Sequence, residues 1–372
     1  MTAYVHIGTH KTGTTSIQLF LKENIDLLQK QGIYCPQSTT MWNRIQHRML
    51  KPILEECFNN RIDRNSNELI CHIKTEHYRH EIDNLKNEIN LNKNKKFLFS
   101  DEGFSWWFAD KEKVKLIKFF FNELGFKNIV IILYLREFQD FFNSLTSEDI
   151  KNGRMYFKTN LYADKNPYIN SFDYAYICKN YSDIFGKENM TVRLFDKNEF
   201  YQGDLLKDFI HSIIGLEWDN EFIIPPKQNE TLDLIGIELL DRFNNILPKD
   251  ANFIIDRFFQ NSKDPHLKFQ AKKELMQSYL NHFKESNEWV RKEFFPHKER
   301  LFPKKDLSNY KENYELKEMK PEYWDKIAEF IADIIKDKNE PSNTIFKKLR
   351  FYFRHPKEMF KLIRSYIARN KN

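Results

Sequence analysis

HIGTHKTGTTSIQ, residues 6–18, carries Gly8 and Gly13 at the spacing of a phosphate-binding loop. The usual nucleotide loop reads G-x-x-x-x-G-K-[ST]. Here Thr14 stands where that pattern has its lysine, and Lys11 lies inside the loop. Upstream, AYVHIG (3–8) reads as a buried strand. Downstream, SIQLFLKENIDLLQKQG places Ile17, Leu21, Ile25 and Leu28 at helical spacing, with Gly32 as the C-terminal cap. Strand, glycine loop and helix in that order form the context a phosphate loop requires. Backbone N–H groups of Thr12, Gly13, Thr14, Thr15 and Ser16 at a helix N-terminus make an anion site, helped by the helix dipole. The hydroxyls of Thr14, Thr15 and Ser16 add donors and can cap the helix.

The same alternation continues along the chain. GIYCP (32–36), KFLFSDE (96–102), NIVIILYLR (128–136) and MTVRLF (190–195) read as strands. Helical patterns fall at 110–124, 138–150, 171–185, 204–214 and 231–246, and residues 45–93 are polar and helical in character. This predicts an α/β fold: a three-layer α/β/α sandwich, P-loop-like, with a mostly parallel central sheet and a helical C-terminal part. Residues 1–246 are expected to form the core, 247–338 a helical extension packed on it, and 339–372 a basic amphipathic tail. Ligands of such sheets bind beyond the carboxyl ends of the strands. Residues 10–16, Ser100 to Glu102 and Arg136 all follow strand ends, so one cleft could hold them.

Composition narrows the function. Of the 372 residues 41% are hydrophobic and 30% charged, which suits a globular chain. The balance of 59 basic to 53 acidic residues leaves +6, less than a whole-chain nucleic-acid binder carries. Cys35, Cys57, Cys71 and Cys178 show no C-x-x-C spacing and read as reduced thiols. The chain opens without a secretory leader pattern, and its longest apolar run, IVIILYL (129–135), is too short to span a bilayer. The expected location is cytoplasmic, with a peripheral place at the inner face of the membrane open to it.

HKTGTTS after a first strand resembles the 5′-phosphosulfate loop of sulfotransferases, which use 3′-phosphoadenosine 5′-phosphosulfate (PAPS). The resemblance covers about residues 1–240 in layout and implies PAPS as sulfuryl donor, with no metal. It implies that Lys11 contacts the oxygen bridging sulfate and phosphate. In that family an arginine at a later strand end and a serine eight residues on bind the nucleotide's 3′-phosphate; YLREFQDFFNS supplies Arg136 and Ser144. An arginine fork is well shaped for a phosphate. The late R-K-G motif of cytosolic members is missing; PPKQNETL (225–232) offers Lys227 or Asn229 as a substitute, or is simply a loop and N-cap.

A lysine inside the loop suits this chemistry. Kinases and ATPases neutralise a triply charged phosphoryl transfer with lysine and Mg²⁺. A sulfuryl group carries less charge but still needs a cation on its leaving oxygen. An attacking hydroxyl benefits from a general base. FSDEGF places Glu102 at a strand's carboxyl end, beside Asp101, and glutamate is the base in the glycan and tyrosine groups of the family. His47 in WNRIQHRML is the rival, since cytosolic members use histidine. The wealth of Lys, Asn, Ile and Phe hints at an AT-rich bacterial genome, which makes a bacterial surface glycan or glycolipid the expected acceptor. A P-loop kinase or NTPase, with FLFSD as a magnesium-binding strand end, is one alternative; a non-enzymatic membrane-surface scaffold is another.

Residues 346–372 hold nine Lys and Arg against one acid, Glu358, a net of +8, interleaved with Phe, Leu, Ile and Tyr. Such a segment suits an anionic membrane surface, or packs on the core with its basic face in water.

Overall fold

Strand β4 (Asn128–Leu135) is apolar on both sides, and that forces layers. Ile129, Ile131, Leu133 and Leu135 belong to one core cluster, while Ile132 and Tyr134 belong to another on the opposite face. A strand buried on both faces belongs in a parallel sheet covered by helices above and below. The computed structural model of this protein describes residues 1–60, 70, 73–151, 161–226, 232–243, 255, 258–260, 262, 264–303 and 307–339.

Five strands form one sheet in the order β2-β3-β1-β4-β5, with every pairing parallel: β1 (Thr2–His6), β2 (Ile33–Tyr34), β3 (Lys96–Ser100), β4 and β5 (Met190–Leu194). On one face lie α3 (Leu50–Asn60), α4 (Glu76–Leu91), α6 (Lys111–Glu123) and α8 (Tyr174–Phe185). On the other lie α1 (Thr14–Glu23), α2 (Ile25–Lys30), α9 (Leu205–Asp208) and the π-helical turn Phe209–Ile214. The three-layer α/β reading therefore holds. From β1 the chain moves outward to β2 and back through β3, then crosses to β4 and β5 on the other side. The strand order reverses at the carboxyl end of β1, where open α/β sheets bind ligands.

Three local readings need correction. The helix expected to run from Ser16 to Gly32 is broken at Asn24, whose amide donates to Phe20 O at 2.8 Å and to Ile223 O at 2.8 Å. The Asn24 side chain thus clips the end of the first helix to a distant segment, from whose Ile223 N–H it also accepts at 2.7 Å. Within 45–93, the residues ahead of α3 form an irregular loop rather than a helix. The 204–214 helix widens after four residues into the π turn, where the buried Asp208 carboxylate accepts from Tyr134 Oη at 2.8 Å and from Arg193 Nε at 2.7 Å.

Helix α7 (Phe138–Lys151) follows β4 and is backed by the helix Lys273–His282, while the next helix, Lys284–Phe294, packs on α8. Phe138 stacks on Tyr279 with ring centroids 4.9 Å apart, and Phe283 closes on the same ring at 5.2 Å. The backbone divides into two units, Met1–Glu315 and Leu316–Asn372; the described part of the second is the helix Pro321–Asn339 and the residues leading to it. Among the described residues no helix is long and apolar enough to cross a membrane. Cys35 and Cys178 are buried free thiols, and Cys57 is buried as well. Cys71, Lys227, Asn229 and the basic tail from 340 onward lie outside the described residues.

Gly13 starts α1 at φ +72°, and a Cβ there would lie 2.3 Å from Leu205 Cδ2 and 3.1 Å from Phe195 Cε2. Gly32 has a similar φ of +87° with open space around it. Gly32→Ala is expected to lose about 1 kcal/mol in denaturant unfolding, from backbone strain alone. Gly13→Ala adds overpacking against the residues after β5 and should lose more than about 2 kcal/mol. Equal losses would show that Leu205 and Phe195 move aside.

Candidate active site

The loop after β1 is pinned from several directions. Thr9 Oγ1 donates to Tyr134 O at 2.9 Å, and Thr12 Oγ1 donates to Thr9 O at 2.6 Å. Lys11 takes a left-handed backbone, φ +63°, a strained conformation for a residue with a side chain. Its carbonyl accepts from Arg136 Nη1 at 2.7 Å, and its Nζ lies 3.3 Å from Glu148 Oε2 on α7. Helix α1 begins at Thr14 with Gly13 as N-cap and no side-chain cap. Thr14, Thr15 and Ser16 thus fall inside the first turn rather than at the N-cap position. The first turn of a helix presents N–H groups that lack intrahelical acceptors, and here they rise directly from the loop. Thr15 Oγ1 accepts from Arg44 Nη1 at 3.3 Å.

Beside this loop, at the end of β3, sit two buried carboxylates. Glu102 Oε2 accepts from Gln18 Nε2 at 3.0 Å, and its Oε1 accepts from Gln46 Nε2 and Arg48 Nη2, each at 3.0 Å. Asp101 Oδ1 lies 3.1 Å from Arg48 Nη2 and accepts from Gly103 N at 3.1 Å. Burial alone would raise the Glu102 carboxyl, but His10 and Arg48 beside it hold it below the ordinary carboxylate range. Asp101 moves the other way, because burial pushes it up and Glu102 adds to the effect. Of the pair, Glu102 gives up its proton first. His10 packs edge-on against Trp106, with ring centroids 4.8 Å apart.

His47 stands elsewhere. It lies in the irregular loop rather than on a helix, and it is fully buried. Its Nδ1 accepts from Ser100 N at 3.2 Å, which leaves Nε2 to donate to Pro36 O at 3.0 Å. One ring nitrogen thus ties the loop to β3 and the other to the chain just after β2.

Arg136 follows β4, with its guanidinium 5.3 Å from the Phe195 ring centroid. With Ser144, one turn before Glu148 on α7, it lines a cavity of about 500 Å³. Lys268 and the carboxylates of Asp140, Asp233 and Asp264 share its wall. Lys11, residues 12–16, Glu102 and Arg136 therefore gather at the carboxyl edge of β1, β3 and β4, and Ser144 joins Arg136 at the cavity.

Sequence reading passed over Gln18, Arg44, Gln46, Arg48 and Glu148. A signal for three of them existed. In WNRIQHRML the polar residues Arg44, Gln46 and Arg48 alternate with Ile45 and His47, the period of extended chain. The histidine turns inward, and its neighbours reach the carboxylates and the loop.

No family model matches this chain, and no curated protein does. Two similar solved structures are the crystal structure of a sulfotransferase from Alicyclobacillus acidocaldarius and the sulfotransferase domain of the Synechococcus PCC 7002 olefin synthase. The first is 13% identical, with a TM-score of 0.37, over 78% of this chain and 94% of that one. The second is 11% identical, with a TM-score of 0.32, over 75% of this chain and 93% of that one. Likeness at that distance assigns no activity, which has to come from the side chains.

Burial lowers His47 to about 4, against about 6.5 in an unfolded chain. Between those values the unfolded chain takes up a proton that the folded chain refuses. The contribution is complete above pH 6.5 and is lost as the pH falls toward 4. Asp101, raised in the fold, works in the opposite sense, so the readout is the difference between two proteins. Relative to His47→Gln, the wild type should lose about 1–2 kcal/mol more stability between pH 7 and pH 5 in denaturant titrations. Parallel pH curves would mean that folding leaves this imidazole's proton affinity unchanged.

Proposed function

We propose that this chain is a sulfotransferase that moves a sulfuryl group from PAPS to an acceptor hydroxyl. Arg136 carries the reading. One guanidinium donates to the Lys11 carbonyl of the loop and also lines the cavity shared with Ser144. Loop and cavity then fit the two ends of one nucleotide, with the 5′-phosphosulfate on residues 11–16 and the 3′-phosphate on Arg136 and Ser144. Arginine suits the phosphate by its planar fork.

The residues divide the work. Glu102, held ionised, accepts the proton of the acceptor hydroxyl while the hydroxyl oxygen forms its bond to sulfur. The bond from sulfur to the bridging oxygen breaks, and its electron pair leaves on the 5′-phosphate of adenosine 3′,5′-bisphosphate. Lys11 and the first-turn N–H groups of α1 stabilise that charge. Lys11 begins on Glu148, so its ammonium exchanges a carboxylate for the leaving oxygen. His47 supports the loop beneath. The acceptor we favour is a saccharide hydroxyl of a bacterial surface glycan or glycolipid, reached from the cytoplasmic side, with the basic tail resting on an anionic membrane.

Calorimetry with adenosine 3′,5′-bisphosphate tests the donor site; tight binding that ATP with Mg²⁺ does not match is expected, and the reverse preference would make the chain a nucleotide kinase or NTPase. Arg136→Ala should weaken this binding, whereas Lys11→Ala should abolish turnover with the fold intact.

Glu102→Gln keeps size and hydrogen-bonding reach but cannot take a proton. Turnover should fall at least about a hundredfold with nucleotide affinity nearly unchanged. A mild Glu102→Gln beside a crippling His47→Gln would move the base to the histidine.

A further inference from the structure

Arg44 is a half-buried guanidinium whose described contacts are neutral groups or a ring face. Its Nε donates to Gln46 Oε1 at 2.8 Å, its Nη1 donates to Thr15 Oγ1 at 3.3 Å, and its Cζ sits 5.5 Å from the Trp42 ring centroid. Among the described residues it forms no ion pair with a carboxylate, although Asp101 and Glu102 lie close by and Arg48 takes both. Charges drawn out of water are ordinarily paired. Glu102, Asp101 and Glu148 act on it only through the field, without direct contact. A guanidinium with no carboxylate in contact, yet anchored to a hydroxyl of the phosphate loop, is set for an anion that arrives from outside.

Its position says which part of that anion. Arg136 approaches the loop from β4, on the cavity side. Arg44 approaches from the loop preceding α3, on the carboxylate side, and one amide links it to the base: Gln46 accepts from Arg44 and donates to Glu102. The space between Thr15 and Glu102 is where an acceptor oxygen would meet sulfur. Trp42, 59% exposed and at φ +59°, lies over the same guanidinium and limits its freedom to swing away.

Resting on the sulfuryl-transfer reading, we propose that Arg44 is a further catalytic residue, donating N–H bonds to the non-bridging oxygens of the sulfuryl group as it passes from donor to acceptor. It takes no proton; the proton goes to Glu102 and the electron pair to the 5′-phosphate. A group that touches only the sulfuryl oxygens predicts a split between two nucleotides differing by that group alone.

Arg44→Ala and Arg44→Lys are compared with wild type for binding of adenosine 3′,5′-bisphosphate and of PAPS, and for turnover. Arg44→Ala is expected to bind the bisphosphate within about threefold of wild type, which also certifies the fold. It should bind PAPS about tenfold more weakly and turn over about 10²–10³ more slowly, the loss typical of one donor to developing charge. Arg44→Lys, which keeps the charge without the fork, should recover part of the turnover. Equal weakening of both nucleotides would overturn the inference in favour of a phosphate contact. An unchanged ratio of the two affinities with a raised acceptor KM would overturn it in favour of acceptor recognition. Wild type binding neither nucleotide would overturn the sulfuryl-transfer reading itself, together with this one; wild type binding both, with an Arg44→Ala variant of normal turnover, would overturn this one alone.

Discussion

A carboxylate can stay ionised while nearly sealed from water only if cations and donors meet it from all sides. Glu102 imposes that condition on the surrounding chain. Gln18 comes from the second turn of α1, Gln46 and Arg48 from the loop between β2 and α3, and Glu102 itself from the end of β3. Losing Arg48 would leave two buried carboxylates with their shared cation gone. The loop is irregular, so its hold on Glu102 needs its own supports. Glu88 on α4 accepts from the backbone N–H groups of Gln37 and Ser38, Glu81 accepts from that of Thr39, and His47 bridges Pro36 to Ser100. Acids of one helix thus fix the loop that holds Glu102.

The opposite flank is organised by the sheet. Tyr134 spans it: its carbonyl takes the Thr9 hydroxyl, and its phenol reaches the buried Asp208, which also holds Arg193 of β5. The loop after β1 is therefore tied to β4 and, through Asp208, to the π-helical turn beneath. Strain at Lys11 survives because these neighbours over-determine the backbone there.

The strands were legible because parallel β-strands buried on both faces write themselves as continuous apolar runs, and NIVIILYL could hardly be anything else. Loop and strand-end residues were legible for a related reason: glycine spacing and the residue after an apolar run are local signals. The break at Asn24 was not, because its cause is a hydrogen bond to Ile223, far along the chain. His47 drew attention by residue type, while Arg44, Gln46 and Arg48 looked like ordinary polar surface. Only the fold of the loop turns them toward Glu102. Glu148 was hidden in the same way, since nothing in SLTSEDI says that one of its acids faces a lysine more than a hundred residues away.

The loop that carries Arg44, Gln46 and Arg48 hangs from β2, a two-residue strand at the margin of the sheet. Under the proposed reading the nucleotide lies on other elements: α1, the end of β4 and α7. The side chains around Glu102 and Thr15 then come from one short, contiguous segment that can vary in length or composition while strand order and phosphate loop stay put. Such a layout would let a lineage retune the surroundings of the carboxylate without rebuilding the donor site.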